Sequence, residues 1–350
     1  MILVDTGDIF ERSYSVTEEK RPELEARAEL YMRSYEKMGY DAISLGDRDV
    51  RLVGVKLLQK LDKMVKFPIL CANLVDAEGK SAFTESVVIE RGGYRIGLFG
   101  LITGGAEARE GNIYKVRPAE ETAIEVVKKL REQNVQAIVL LAHLNRRDAA
   151  ELAEKVPGID VILGGQGESP SKFLESIGTT PTFFAEAGGR GQHMNTVVMH
   201  FSVDQYKPFV VRETPTKMLD ELRSVDSRIE RYAGVITKPA QPGTRAASKD
   251  RYIKLIQNLL KEREELAARI KGLKPVDTEA PFLTLKDVPV PKTLDDDPDV
   301  AKWIAEHHAK FDGKAAMQPM KRPIRPKAPL TRRGSKMIPK KVLKGAKPLK

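Results

Sequence analysis

The chain has a single cysteine, Cys71, among its 350 residues. One thiol excludes an internal disulfide framework and any metal site built from several cysteines. Its place in the apolar run Phe67-Pro-Ile-Leu-Cys-Ala-Asn73 favours a buried, inert thiol. Metal or acid–base chemistry in this chain therefore has to come from carboxylates, histidines and amides.

Long hydrophobic runs are also missing. No apolar stretch reaches the roughly 18 to 20 residues that a membrane-spanning helix needs. Met1 is followed at once by a strand-like segment and not by a signal-peptide pattern. Taken as it stands, the sequence predicts a cytoplasmic globular protein with no transmembrane segment, long enough for a substantial core.

Acidic residues are absent from positions 314–350, although thirteen lysines and arginines lie there. The rest of the chain carries 46 basic and 49 acidic residues, so the overall net charge of +10 belongs to this tail. Six prolines interrupt the same segment. Such a composition cannot bury enough apolar surface to fold, and it predicts a basic, proline-rich disordered tail.

Between residues 1 and about 205, short apolar runs alternate with helical patterns, which indicates an α/β fold with mixed sheets flanked by helices. The predicted strands are Ile2–Val4, Ala42–Leu45, Ile69–Ala72, Ser86–Glu90, Arg95–Leu101, Ala137–Leu141, Val161–Leu163, Thr182–Glu186 and Asn195–Phe201. The predicted helices are Arg21–Met38, Leu52–Lys63, Ala119–Gln133 and Asp148–Lys155.

The pattern changes after residue 201. Residues 249–273 are typical of one long charged helix, and the glycine- and proline-rich residues 238–247 predict a linker. We therefore expect a domain over residues 1–205, a helical extension with a linker over 206–313, and the disordered tail over 314–350.

Four of the predicted strands end in polar turns. Leu-Val-Asp-Thr-Gly-Asp ends at Asp8, the next turn carries Asp47-Arg48-Asp49, a later strand ends at His143, and Gly-Gly-Gln-Gly-Glu carries Gln166 and Glu168. In open α/β folds, ligands bind at the carboxyl ends of strands. These turns are therefore the candidate functional site.

In their order and spacing the four turns resemble the calcineurin-like metallophosphoesterases, most closely the N-terminal domain of the bacterial 5′-nucleotidase and UDP-sugar hydrolase group. Supporting stretches are Met38-Gly-Tyr-Asp-Ala42, Tyr94-Arg-Ile-Gly-Leu-Phe-Gly-Leu101 and Val156-Pro-Gly-Ile-Asp-Val-Ile-Leu-Gly165. The resemblance covers about residues 2–202. It implies a four-layer sandwich of two mixed sheets and flanking helices, and a phosphoric ester hydrolase that acts on nucleotides.

The resemblance also assigns roles to the turns. It implies metal ligands at Asp8, Asp47, His143, Gln166 and Glu168, and it places Arg48 at the position of the family's catalytic histidine. Asp47 stands where the family has asparagine, and Gln166 and Glu168 stand where it has histidines. The family's opening strand, which ends in Asp-x-His, does not occur in this sequence. If the natural start lies upstream of Met1, the resemblance implies that this strand and a signal sequence precede it, with an envelope or periplasmic location.

The remaining donors leave three alternatives. The turns hold an ion-paired cluster, a single metal or anion, or a complete two-metal centre. Oxygen donors with one imidazole suit Mn²⁺, Mg²⁺ or Ca²⁺ more than tightly bound Zn²⁺. Arg48 cannot act as a general acid because a guanidinium keeps its protons near neutral pH.

Two functions from different classes follow. One is a metal-dependent hydrolase of a small phosphorylated molecule in nucleotide catabolism, and the other is a catalytically inactive binding or scaffold member, a pseudoenzyme. A third possibility concerns residues 314–350, whose positive charge predicts contact with a polyanion or an acidic protein.

Overall fold

The structure, a computed structural model, describes most of residues 1–311. The gaps lie at 12, 14, 103–107, 168, 172–173, 178–179, 190, 202–207, 212–214, 238–246, 273–279 and 292–293. The basic tail at 314–350, Glu168 and all but the last residue of the predicted linker lie outside the described residues.

The elements are numbered in chain order. They are β1 (Val4–Asp5), α1 (Arg21–Met38), β2 (Ala42–Ser44), α2 (Val55–Asp62), β3 (Ile69–Leu70), β4 (Leu74–Val75), β5 (Ser86–Arg91), β6 (Tyr94–Leu101), β7 (Lys115–Val116), α3 (Ala119–Glu132), β8 (Ala137–Ala142), α4 (Arg146–Lys155), β9 (Val161–Gly164), β10 (Glu175–Ser176), β11 (Phe183–Glu186), β12 (His193–His200), β13 (Val210–Val211), α5 (Pro215–Thr237), α6 (Ala247–Gly272), β14 (Phe282–Pro289) and α7 (Pro298–Phe311).

These elements form two compact units. Among the described residues, one comprises those of 1–211 with 280–311, and the other comprises those of 215–272. This division differs from the sequence-based boundaries, because β14 and α7 join the unit that contains β1 to β13.

Two sheets form the centre of the first unit. A small parallel sheet has the order β1-β2-β3, and a six-stranded sheet has the order β10-β11-β9-β8-β6-β5. In the larger sheet the pairs β6–β8, β8–β9 and β9–β11 are parallel, and both edge pairs are antiparallel. The prediction of mixed sheets is confirmed.

Three apolar clusters stack these sheets between helices. Leu24, Met32 and Leu58 of α1 and α2 pack with Ile43 and Ile69 on one face of the small sheet. The other face, through Ala42 and Leu70, meets the six-stranded sheet at Leu98, Val139 and Val161. The far face of the larger sheet packs on α3 and α4 through Val126, Leu130 and Leu152. The result is the expected four-layer sandwich.

The predicted strands of residues 1–205 are all present, and no end is displaced by more than two residues. Among the helices, α2 differs most, since it begins at Val55 and not at Leu52. Asp49–Val53 forms a π-helical turn, and Gly54 has φ +93°, a left-handed conformation that an α-helix cannot contain.

A third sheet has the order β12-β14-β13. β14 runs antiparallel to β12 and parallel to β13, and its Leu283 and Leu285 are buried. The sequence analysis placed this segment in a helical extension, because a single apolar alternation of Leu283 and Leu285 is a weak strand signal. α7 packs on α1, where the Arg33 guanidinium lies 4.1 Å from the centre of the Trp303 ring.

In the second unit α5 and α6 are paired helices. Asp226 accepts a hydrogen bond from Arg263 Nε at 2.7 Å, and Val225, Ile256 and Leu259 are buried. α6 matches the predicted long charged helix closely. Within the described residues, no helix is both long enough and apolar enough to cross a membrane.

Candidate functional site

Four turns meet where β1, β2, β8 and β9 end. They carry Asp8, Asp47 with Arg48 and Asp49, His143, and Gln166. β1 pairs with β2, and β8 pairs with β9, in parallel, so each pair ends at one edge of its sheet. The stacking of the two sheets brings these edges together.

The turns after β1 and β2 interlock through their glycines. A Cβ atom on Gly7 would lie 2.3 Å from the amide nitrogen of Gly46, and a Cβ on Gly46 would lie 2.0 Å from Asp8 Oδ1. Gly7 has φ +98° and Asp8 has φ +59°. Aspartate is among the few non-glycine residues that adopt this left-handed conformation readily. The two Gly-Asp dipeptides therefore hold Asp8 in place.

Asp49 fixes the same two turns from inside the protein. Its Oδ2 accepts hydrogen bonds from the backbone amides of Asp8 at 2.7 Å and Gly46 at 3.0 Å, and the residue is 1% exposed. Its Oδ1 is buried with no hydrogen-bond partner among the described residues. Burial, and then the nearby charge of Asp8, raise the pKa of Asp49 to about 7.

Asp8 and Arg48 form an ion pair between the two turns. Asp8 Oδ1 accepts from the Arg48 backbone amide at 2.9 Å, and Oδ2 accepts from Arg48 Nε at 2.7 Å. The Asp8 side chain is 3% exposed, and that of Arg48 is 33% exposed. A guanidinium thus neutralises a carboxylate that is almost completely shielded from solvent.

His143 contacts the same carboxylate from the end of β8. Its Nε2 lies 3.0 Å from Asp8 Oδ2. Because an ionised carboxylate only accepts hydrogen bonds, Nε2 carries the proton in this contact. The other ring nitrogen, Nδ1, is buried without a partner among the described residues.

These contacts determine the ionisation of the pair. Burial alone would raise the pKa of Asp8, but the hydrogen bonds and charges of His143 and Arg48 outweigh it and lower the pKa. The hydrogen bond to Asp8 raises the pKa of Arg48 above its ordinary value. The ion-paired form is therefore the stable form near neutral pH.

The turn after β9 is tied to the turn after β8. Gln166 Nε2 donates to the His143 carbonyl at 2.8 Å. A Cβ on Gly165 would lie 2.6 Å from Thr6 Oγ1 and 2.7 Å from His143 Nδ1. The Gln166 amide therefore links the two turns by a hydrogen bond. The expected ligand Glu168 lies outside the described residues.

Asp47 is the least constrained acid of the site. It makes no hydrogen bond with another described residue, and it is half-buried. Together with Asp8 and His143 it offers three possible ligand atoms that all lie within 4.8 Å of one another. This group is the candidate cation site of the described residues.

The described residues do not fit a two-metal centre. The candidate group supplies three donors, whereas two divalent ions need more ligands between them. Of these donors, Asp8 is already engaged by Arg48, and the His143 nitrogen that faces Asp8 holds a proton that a metal ligand must lose. One oxygen of Asp49 already accepts hydrogen bonds from two backbone amides, so this side chain stabilises the turns and does not complete the ligand set.

Sequence reasoning missed two supporting acids. Asp49 was part of a noted motif, but nothing in the sequence separated its structural position from that of Asp47. Asp5 accepts from the Gly7 amide at 3.0 Å and from the Tyr35 hydroxyl at 2.9 Å, and burial raises its pKa. Its position at the end of a buried strand was the available signal.

Comparison with known proteins shows that the chain is similar in sequence to nucleotide phosphoesterases. It is 27% identical over 237 residues to the trifunctional nucleotide phosphoesterase protein YfkN of Bacillus subtilis, covering 57% of this chain and 16% of that protein. It is 26% identical over 271 residues to a probable 5′-nucleotidase of Treponema pallidum, covering 67% of this chain and 45% of that protein. The chain thus spans less than half of either relative.

A solved structure of a calcineurin-like phosphoesterase, YfkN from Bacillus subtilis, superimposes with a TM-score of 0.47 at 19% identity, over 59% of this chain and 74% of that chain. No protein-family model matches the chain. The sequence similarities lie with the proteins that the turn motifs resemble. The chain is therefore similar in sequence to 5′-nucleotidase-like phosphoesterases, the group that the turn motifs resemble.

Proposed function

We propose that this chain is a 5′-nucleotidase-like module in which two-metal hydrolysis has been lost, and that it serves as a binding or scaffold member of its family. One observation carries the proposal. Both oxygens of the Asp8 carboxylate are bound by Arg48, and His143 shares one of them. The carboxylate that the resemblance assigns as a metal ligand is already bound within the protein.

The loss extends to proton transfer. In this family a bound pair of divalent ions activates water and neutralises phosphoryl charge. Arg48, at the position of the family's catalytic histidine, has its pKa raised by Asp8 and keeps its protons. The described residues therefore offer neither a full set of ligands for two metals nor the acid of that reaction.

A second candidate function is the binding of one divalent cation. The close group of Asp8, Asp47 and His143 favours it. Two carboxylates and one imidazole suit Mn²⁺, Mg²⁺ or Ca²⁺ better than tightly held Zn²⁺. A site that holds this cation would bind a small phosphorylated molecule, and the family resemblance favours a nucleotide.

Hydrolysis of AMP and of p-nitrophenyl phosphate in the presence of Mn²⁺ tests the proposal. The wild-type chain and the variant Asp8→Asn are assayed side by side, since the variant removes the central carboxylate charge. We expect the two proteins to give the same background rate. Hydrolysis by the wild-type chain that Asp8→Asn abolishes would overturn the proposal.

Two further predictions rest on the sequence and the family alone. One is an envelope or periplasmic location, which fractionation of cells that express the natural gene would test. The other is polyanion contact by residues 314–350, which are outside the described part of the chain. If deleting these residues leaves retention on heparin unchanged, the polyanion prediction is wrong.

A further inference from the structure

Resting on the proposed function, we infer that Arg48 is the built-in cation of this site: its guanidinium neutralises Asp8 in place of a divalent ion, and guanidinium and ion exclude each other. The disagreement between the family's metal chemistry and the contacts of Asp8 supports this assignment. Arg48 then does more than fill the position of a lost catalytic residue. It is the group that keeps metal out.

The geometry makes the two cations alternatives. Arg48 Nε lies 2.7 Å from Asp8 Oδ2, and the side chain of Asp8 is 3% exposed. Asp8 is also one of the three residues whose ligand atoms lie within 4.8 Å of one another. A cation ligated by this group would have to take its oxygen from the same small, sheltered carboxylate that Arg48 holds.

The local charge shows why one cation is required. The turns after β1 and β2 bring together four acids, Asp5, Asp8, Asp47 and Asp49, and one arginine. Taking away the guanidinium would leave Asp8 beside the other acids with the His143 ring as its remaining side-chain partner, and an undercompensated buried charge is costly. The site would then attract a small cation from solution.

The Arg48 side chain is held by a single described residue, Asp8. Its guanidinium makes no hydrogen bond with any described residue other than Asp8, and one third of the side chain is exposed. The backbone amide of Arg48 binds the other oxygen, Oδ1, and does not depend on the side chain. Shortening the side chain therefore opens one carboxylate oxygen and keeps the turn's main-chain contact.

Calorimetric titration with Mn²⁺ tests the inference on the full chain near neutral pH. The proteins are the wild type, Arg48→Ala, Arg48→Gln and the double variant Arg48→Ala with Asp8→Asn. Arg147→Ala is the matched control, since Arg147 is an exposed arginine that pairs with Glu151 on α4. Circular dichroism first establishes which variants are folded, and Arg48→Gln replaces Arg48→Ala if the shorter side chain prevents folding.

We expect Arg48→Ala and Arg48→Gln to bind Mn²⁺ at least about tenfold more tightly than the wild type, a difference of about 1.4 kcal/mol. Arg147→Ala should bind like the wild type, and the double variant should lose the gain. A folded Arg48 variant with wild-type Mn²⁺ affinity would overturn the inference, and so would a gain that survives Asp8→Asn.

Failure here differs from failure of the proposed function. Hydrolysis of AMP by the wild-type chain contradicts the proposed loss of activity, whatever the Arg48 variants do. Unchanged Mn²⁺ affinity in those variants contradicts the role of Arg48 while the wild-type chain remains inactive.

Discussion

Asp49 binds the amides of Asp8 and Gly46 and is the most deeply buried acid of the site. Its pKa is raised to about 7 in the folded protein by burial and by Asp8, whereas the pKa of an unfolded aspartate lies near its ordinary value of 3.8. A raised pKa means that the folded state binds the proton more strongly. The associated stability is full below pH 4 and is lost as pH rises towards 7.

We therefore predict that the free energy of unfolding falls between pH 4 and pH 7, by up to about 1.4 kcal/mol for each pH unit from this one group. Asp49→Asn should weaken that fall, because the amide can still accept from both backbone amides and carries no charge. Urea unfolding of both proteins at several pH values measures the effect. An equal dependence of stability on pH in the two proteins would contradict the role assigned to Asp49. Burial also raises the pKa of Asp5, and that effect is present in both proteins.

Gly46 is essential for a purely steric reason. A Cβ there would lie 2.0 Å from Asp8 Oδ1, while a Cβ on Gly189 meets nothing within 4 Å. We predict that Gly46→Ala lowers the free energy of unfolding by about 1–3 kcal/mol or prevents folding, as overpacking does. Gly189→Ala is the control and should change stability little. Equal stability of the two variants would show that the turns do not interlock.

Among the elements, α4 begins directly after the site strand β8. Asn145 caps the helix, since its side chain accepts from the Asp148 amide at 3.0 Å. Asn145→Ala should lower the free energy of unfolding by about 1 kcal/mol. Asn145→Ser should keep most of the wild-type stability, because serine is also a good N-cap residue. Thermal unfolding distinguishes the variants, and an alanine variant as stable as the wild type would contradict the capping role.

Strand β14 contributes to the core that lies between the sheets. Leu283 is fully buried there, and Lys286 on the same strand is exposed. We predict a loss of about 2–5 kcal/mol for Leu283→Ala and little change for Lys286→Ala. Similar losses of stability for both variants would mean that the Leu283 side chain of β14 does not pack in the core of the first unit.

How far the sequence predicts these elements depends on the strength of each pattern. α1 was predicted at its observed bounds because its apolar residues repeat at helical spacing between clear ends. The start of α2 was missed because Gly54 ends a π-helical turn that has no sequence signature. β14 was missed because its partners β12 and β13 are distant in the sequence, and only tertiary pairing makes its short alternation significant.

In the molecule as a whole, the four-layer sandwich brings four turns that are far apart in the sequence to one site. The motifs predicted that Asp8, Asp47 and His143 would meet, and the structure places them together. They could not predict that Arg48 would bind Asp8, because a guanidinium in a turn can point to solvent or to any of several acids. They also could not separate Asp47 from Asp49, because only the fold buries Asp49 and brings the Asp8 amide within reach of its carboxylate.

The central claim is that Arg48 occupies the place of a metal ion in the wild-type chain. Its most direct test is the metal content of the purified full chain after incubation with Mn²⁺ and removal of free ion. Because the guanidinium holds Asp8, we expect less than about one tenth of an equivalent of Mn²⁺ or Zn²⁺ per chain. Retention of one or more equivalents per chain would show that Arg48 does not exclude a metal ion.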